Sequence, residues 1–294
     1  MEKKLDGIKI GVLGGDDREL VLIPRLASLG AELNIVGFPS LPHAANIRIV
    51  SSIDQAIENV DAVLLPMPGT DLQGNIRAIY AEEKLVLTES VVKKIPPKTP
   101  VIVGVAKPFL KEWAEKYQLK LIEIAEVDEV AILNAIPTAE GAVQLAMEHT
   151  NFTIHSSNSF VIGFGRVGFT MARTLAALGA NVTIVARKPA DYARAFELGY
   201  QVCNYQELID KISEAHLIFN TVPALVLTKE LLVKVDVNTL IIDLASQPGG
   251  TDFKAAADQG VNAILAPGLP GKVAPKTAGE ILAKVIPAFI LENL

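Results

Sequence analysis

The feature that most constrains this chain is a repeat at long range. Leu26-Ala-Ser-Leu-Gly-Ala31 returns 149 residues later as Leu175-Ala-Ala-Leu-Gly-Ala180, and the same offset aligns Gly14 with Gly163. Each hexapeptide ends a helical segment ahead of a β-branched run. Each half therefore opens as strand, glycine turn, helix, Leu-Gly-Ala and second strand, the start of a Rossmann-like unit. Short β-branched runs alternate with helix-length segments throughout, at residues 9–13, 32–37, 62–65, 101–105 and 120–124, then at 160–162, 181–185, 217–220, 240–244 and 263–266. Strands of about five residues spaced in this way indicate parallel sheets covered by helices. The expected fold class is α/β, with two Rossmann-like doubly wound parallel-sheet domains separated by a cleft and joined by connecting helices.

A chain of 294 residues has material for two domains at about 150 residues each. The expected division is a first domain at 1–137, a connecting helix at 138–150 and a second domain at 151–276. Asn134-Ala-Ile-Pro137-Thr138-Ala-Glu140-Gly141 resembles a helix start with Thr138 as N-cap, continuing to about His149. The segment 277–294 has the apolar spacing of a helix in Ile281, Leu282, Val285, Ile286 and Phe289, with a kink expected at Pro287, and is expected to pack back on the first domain.

The balance of 33 acidic against 27 basic side chains leaves a charge of −6, and no basic stripe is present, so nucleic acid is not an expected partner. Cys203 is the one cysteine and no leader-like segment precedes residue 8, which suggests a reducing cytoplasm. The apolar stretch 130–147 is interrupted by Asn134, Pro137, Thr138 and Glu140, so no membrane span is expected.

The two glycine turns assign different duties to the halves. The second reads Gly163-Phe164-Gly165-Arg166-Val167-Gly168, between the apolar strand and the helical segment that a dinucleotide fingerprint requires. In the first, Asp16 and Glu19 stand where the second and third glycines would fall, and Asp16, Asp17 and Glu19 would repel a pyrophosphate. The cofactor is therefore expected in the second half. At the end of its second strand, Arg187 and Lys188 replace the acidic residue that usually accepts hydrogen bonds from ribose, which favours NADP over NAD. Further strand ends expected near the cofactor carry Thr221, Val222 and Pro223, then Asp243 and Ser246, then Gly268 and Pro270, because open α/β sheets bind ligands at their carboxyl edge.

Other candidates are weaker. His43, His149, His155 and His216 form no catalytic arrangement, and no spacing suggests a metal site. Tyr80 and Lys84 form a Y-x-x-x-K pair that polarises hydroxyls only where both share a helix face, and Lys84-Leu-Val-Leu-Thr88 suggests that the helix has ended. Cys203 is expected to be a buried apolar residue, and Trp113 to pack from an amphipathic helix.

Four blocks taken together go beyond a generic dinucleotide domain: 128–141, 163–168, Asp243-Leu-Ala-Ser-Gln-Pro-Gly-Gly-Thr-Asp-Phe253 and Pro267-Gly-Leu-Pro-Gly-Lys-Val-Ala-Pro-Lys-Thr-Ala-Gly279. Over almost the whole chain they resemble the dipicolinate synthase A-subunit family, and more distantly the methylenetetrahydrofolate dehydrogenase, alanine dehydrogenase and glutamyl-tRNA reductase relatives. The resemblance implies that the chain acts with the flavoprotein-like B-subunit of dipicolinate synthase in the mother-cell cytoplasm of a spore-forming bacterium, making dipicolinate from the cyclic product of dihydrodipicolinate synthase. For such a dicarboxylate, Lys272 and Lys276 are candidates to pair with a carboxylate, and Asn134 and Thr138 to hydrogen-bond it across the cleft. The catalytic proton acceptor is unassigned. Alternatives are an NADP-binding scaffold without turnover of its own, or a related dehydrogenase acting on an amino acid or folate. A closed homo-oligomer is the general expectation for such enzymes.

Overall fold

The computed structural model describes residues 4–41 and 44–294, so His43 lies outside the described residues. In chain order the first elements are β1 (Lys9–Leu13), α1 (Glu19–Ser28), β2 (Glu32–Val36), β3 (Ile47–Ile49), α2 (Ile53–Ala56), β4 (Ala62–Leu64), α3 (Glu89–Val92), β5 (Pro100–Val103), α4 (Pro108–Lys116) and β6 (Lys120–Glu123). After α5 (Asp128–His149) come β7 (Asn158–Ile162), α6 (Arg166–Ala177), β8 (Asn181–Val185), α7 (Pro189–Glu197), β9 (Gln201–Cys203), α8 (Leu208–Lys211), β10 (Leu217–Asn220), α9 (Lys229–Leu232), β11 (Leu240–Asp243), α10 (Phe253–Asp258), β12 (Asn262–Leu265) and α11 (Leu269–Val273). The last helix is α12 (Pro275–Asn293).

These elements form two compact units, one through Ala131 and again over Ala274–Leu294, the other Ile132–Val273. Each holds a six-stranded sheet, in the orders β3-β2-β1-β4-β5-β6 and β9-β8-β7-β10-β11-β12. All the pairings are parallel, with Lys9 opposite Glu32 and Ile10 opposite Ala62 in unit 1, and Asn158 opposite Asn181 and Ser159 opposite Leu217 in unit 2. The two sheets share one strand order, that of the doubly wound dinucleotide fold.

Alternation along each strand builds a core on both faces of each sheet. In unit 1, Val12, Leu33, Ile35 and Ile102 pack toward α1 and α12, while Leu13, Val36, Val63, Val101 and Val103 pack toward Ile53 and Leu110 on the other side. The central strands β4, β5, β10 and β11 are buried at every residue, which is why they appear in the sequence as unbroken apolar runs. The three-residue edge strands β3 and β9 carry exposed polar residues and escape that pattern.

The long helix α5 starts earlier than the sequence suggests. It runs from Asp128, with Asp128 and Glu129 in its first turn, where acidic side chains favour a helix start. Thr138 is not its N-cap: it lies mid-helix, with its hydroxyl donating to the Asn134 carbonyl at 2.7 Å. The division between units falls at 131/132 and 273/274, against 137/138 and 276/277 expected from the sequence. By length and composition α5 is apolar enough to cross a membrane, because its few polar residues weigh less than their spacing suggests. Its Ala139, Ala142, Val143 and Ala146 pack with Met171 and Leu175 in the core of unit 2.

Helix α12 lies on α1 in unit 1, with Leu282, Ala283, Ile286 and Ile290 in the same core as Leu22 and Leu26. Gly279 sets the approach: a Cβ there would lie 2.7 Å from the Arg18 carbonyl oxygen and 2.8 Å from Val21 Cβ. Gly279→Val should lower unfolding stability by about 1–3 kcal/mol through overpacking, read as a reduced urea midpoint. A midpoint within error of the parent protein would show that the contact is loose.

Candidate functional site

Each of the three glycines of the second-half turn has its own geometric reason. Gly163 has φ +92°, and Gly168 brings α6 so near to β7 that a Cβ there would lie 2.1 Å from the Gly163 carbonyl oxygen. Gly165, which precedes the first turn of α6, has no other group within 4 Å of where its Cβ would be. The first and third glycines thus serve the protein's own packing, while the second opens space in front of a helix N-terminus. That is where a pyrophosphate is held by backbone N–H groups and the helix dipole. Phe164 turns its ring inward, onto Phe169 and Tyr200, so it can offer a ligand only backbone. Arg166 and Val167 begin α6, Arg166 exposed and Val167 half-buried.

Beside this turn a groove of about 340 Å³ is lined by Gly163, Phe164, Ala186, Arg187, Lys188, Asp191, Tyr205, Val222 and Val226. Five residues expected from the sequence meet here: Gly163, Phe164, Arg187, Lys188 and Val222. Arg187 and Lys188 are exposed at the carboxyl end of β8, where α7 starts. Tyr205 is an addition that the sequence does not signal. It follows the edge strand β9, and burial raises its pKa against an opposite pull from the Arg187 charge. Asp191, in the first turn of α7, is a second addition, although its spacing of four from Arg187 places both beside one helix start.

The loops after β10, β11 and β12 carry the other expected residues. Thr221 donates its hydroxyl to the Ile162 carbonyl at 2.9 Å, bracing the glycine turn. Asp243 is expected near the cofactor, but its side chain is fully buried. It accepts from Asn220 Nδ2 and Ala245 N on one oxygen, and from Gly250 N and Thr251 Oγ1 on the other, at 2.6–3.1 Å. A buried carboxylate needs such donors, so Asp243 shapes the loop from inside and presents nothing to a ligand. Pro223, Ser246 and Gly268 are exposed, and Pro270 is half-buried at the start of α11.

In unit 1 the equivalent turn is closed by its own charges. The Asp16 carboxylate accepts from Arg18 Nε and Nη2 at 2.8 and 2.7 Å and from Arg77 Nε at 3.1 Å. Burial alone would raise its pKa, but the Arg18 bonds and charge, with the Arg77 bond, bring it below the ordinary carboxylate value. Glu19 is 4 % exposed, and its Oε2 accepts the Asp16 N–H at 2.7 Å. Burial pushes its pKa to about 7. Asp17 accepts the Tyr80 hydroxyl.

The remaining candidates scatter. Asn134 and Thr138 are half-buried and bonded to one another within α5. Lys272 is exposed on α11 of unit 2, whereas Lys276 is in unit 1, 3.9 Å from Glu280 on the same helix. Tyr80 and Lys84 share no helix face, because no helix covers residues 78–88. His216 accepts the Asn158 N–H at 2.9 Å, and His155 packs under Gly179. Cys203 is buried in β9 with its pKa raised by burial, and the Trp113 ring lies tilted against Phe109, with 4.7 Å between centroids.

A doubly wound domain with this fingerprint places the chain in the class of two-domain nicotinamide-dinucleotide oxidoreductases, and comparison with known proteins agrees. Residues 137–240 match the NAD-binding domain of the D-isomer-specific 2-hydroxyacid dehydrogenases, and residues 9–125 match the N-terminal domain of the dipicolinate synthase A-subunit. The chain is 41 % identical to the dipicolinate synthase A-subunit of Bacillus subtilis over 98 % of its own length and 97 % of that protein. The crystal structure of the Bacillus halodurans counterpart superposes with a TM-score of 0.94 at 40 % identity, covering 98 % of this chain and 99 % of that one. An L-alanine dehydrogenase at 14 % identity and a TM-score of 0.65, covering 97 % and 89 % of the two chains, shares the fold alone. The chain belongs to the dipicolinate synthase A-subunit family.

Gly165→Ala should leave the unfolding temperature unchanged and weaken dinucleotide binding at least tenfold. Gly168→Ala should instead lower stability by about 1–3 kcal/mol. Equal behaviour of the two variants in a thermal melt and an NADPH fluorescence titration would refute this division. Glu19 gives a prediction with pH. Its carboxyl holds a proton in the folded chain up to about pH 7 but only to about 4.5 when unfolded. Stability should therefore fall as pH rises from about 4.5 through 7, by about 3 kcal/mol in all. Glu19→Gln should remove that part of the slope in urea unfolding at pH 5 and pH 8.

Proposed function

We propose that the chain is an NADP-dependent dehydrogenase that oxidises the ring product of dihydrodipicolinate synthase, 4-hydroxy-tetrahydrodipicolinate or its dehydrated form, to dipicolinate. It acts with the synthase's B-subunit in the cytoplasm of the mother cell during sporulation. The observation that carries this reading is the groove of unit 2, in a chain whose relatives bear the name of this synthase. An open turn at Gly165 lies beside two basic side chains where an NAD site usually places an acid.

The residues fit the cofactor. Backbone N–H groups at the start of α6 would hold a pyrophosphate, and the paired donors of Arg187, with Lys188 as a second charge, would hold a 2′-phosphate. Bound NADP⁺ supplies the hydride acceptor. The reaction requires loss of water from the hydroxylated ring, then removal of one hydride and one proton, and aromatisation drives it forward. The protein's part is to hold the ring carboxylates and orient a ring hydrogen toward the nicotinamide in a site closed to water. The buried Asn220–Asp243 pair supports that task by holding the loops after β10 and β11 in one conformation.

Arg187→Ala should weaken NADPH binding about 10- to 100-fold and NADH binding far less, the cost of a lost charged hydrogen-bonding partner. Equal losses would remove the case for NADP. The activity itself is tested by dipicolinate formation from freshly generated synthase product with NADP⁺, using the purified chain alone and then with the B-subunit added. Product from the chain alone makes it a complete dehydrogenase. Product only with the partner assigns it a shared site, and none under either condition refutes the reading.

A further inference from the structure

In a doubly wound sheet the order reverses once, and the strand ends that diverge there leave a crevice outside the carboxyl edge. In unit 1 the reversal lies between β1 and β4. The turn after β1 is occupied by Asp16, and the loop that follows β4 folds back over it. Arg77 is pinned between the two: its N–H donates to the Gly69 carbonyl at 3.2 Å, its carbonyl accepts the Gly15 N–H at 2.8 Å, and Ile79 N–H donates to the Gly15 carbonyl at 3.0 Å. The backbone of Arg77 is thus tied to the strand-end loops on both sides of the reversal.

Its side chain is held as firmly at one point and left open elsewhere. Arg77 Nε donates to Asp16 Oδ2, yet the side chain remains 51 % exposed. Asp16 is already bonded through both oxygens to Arg18, whose side chain is 9 % exposed. One buried carboxylate therefore serves two guanidinium groups and balances only one of their charges. Asp17 is turned to the Tyr80 hydroxyl and Glu19 to the backbone of Asp16, so neither is spent on Arg77. A guanidinium tethered through Nε keeps its Nη edge in a set plane, the arrangement that accepts a carboxylate through two parallel bonds.

We propose that Arg77 is the carboxylate-binding residue of unit 1, with Asp16 as its positioning residue, and that this site takes a carboxylate of the ring substrate. The choice of a ring dicarboxylate as ligand rests on the function proposed above; the site itself rests on the geometry of Arg77. Unit 1, whose turn holds Asp16 where unit 2 has Gly165, then uses the same edge of the same fold for a different anion.

The test titrates pyridine-2,6-dicarboxylate into the full chain with NADP⁺ present, by calorimetry. Arg77→Ala should weaken the dicarboxylate about 10- to 100-fold, the range for a lost charged pair, with NADPH affinity unmoved. Arg77→Lys keeps a charge but loses the fork, and should fall between the two. Asp16→Asn should weaken the dicarboxylate less than Arg77→Ala does. If Arg77→Ala unfolds the chain, Arg77→Lys decides. Dicarboxylate affinity within twofold of the parent in whichever folded variant decides, or no binding to the parent chain, overturns the site. Turnover of the parent protein together with the B-subunit is read separately. Arg77-dependent binding without product keeps the site and removes the proposed reaction, whereas product formation with an Arg77 variant of unchanged KM keeps the reaction and removes the site.

Discussion

Parallel pairing sends the carboxyl end of every strand to the same edge of a sheet, and each crossover must return along its face before the next strand can begin. The candidate site of each unit follows from that constraint. The glycine turn, Thr221, the Asp243 loop and Gly268 come from distant stretches of sequence, yet they follow β7, β10, β11 and β12, neighbours along one edge of unit 2. In unit 1 the same constraint brings the turn at Asp16 and the loop bearing Arg77 together at the ends of β1 and β4.

Two copies of one topology diverge through the electrostatics of a few residues. In unit 2 the second glycine of the turn is Gly165, with open space before it. In unit 1 the matching residue is Asp16, whose carboxylate fills the region with its own counter-ions. A helix N-terminus attracts negative charge in both cases. In one the space before it stays open, and in the other the chain supplies the anion itself and stations cations around it.

Much of this is legible in the sequence because fully buried parallel strands have a strong apolar signature, and because Gly163 and Gly168 each answer a separate steric demand while Gly165 leaves open space. What the sequence hides has physical causes. Strands β3 and β9 lie at sheet edges, where exposed polar residues erase the run, and Tyr205 is hidden with β9 because its place in the groove depends on that strand. The start of α5 is obscured because Thr138 has the side chain of a cap, but within a helix its hydroxyl turns back to the carbonyl of Asn134. Asp243 resembles a ligand contact because it ends a strand at the functional edge. Nothing in a linear sequence distinguishes a carboxylate facing a ligand from one satisfied by four internal donors. The Arg77–Asp16 pair joins residues 61 apart, beyond the reach of any local pattern.

The return of α12 to unit 1 makes that unit discontinuous, with unit 2 set into the chain as an insertion over Ile132–Val273. A ribosome delivers residues in order, and domains fold as their sequence becomes available. Every residue of unit 2 is therefore made before the face of unit 1 around Leu22, Leu26 and Ile35 receives Leu282, Ile286 and Ile290. The unit whose first strand is made earliest is thus the one whose apolar face is covered last.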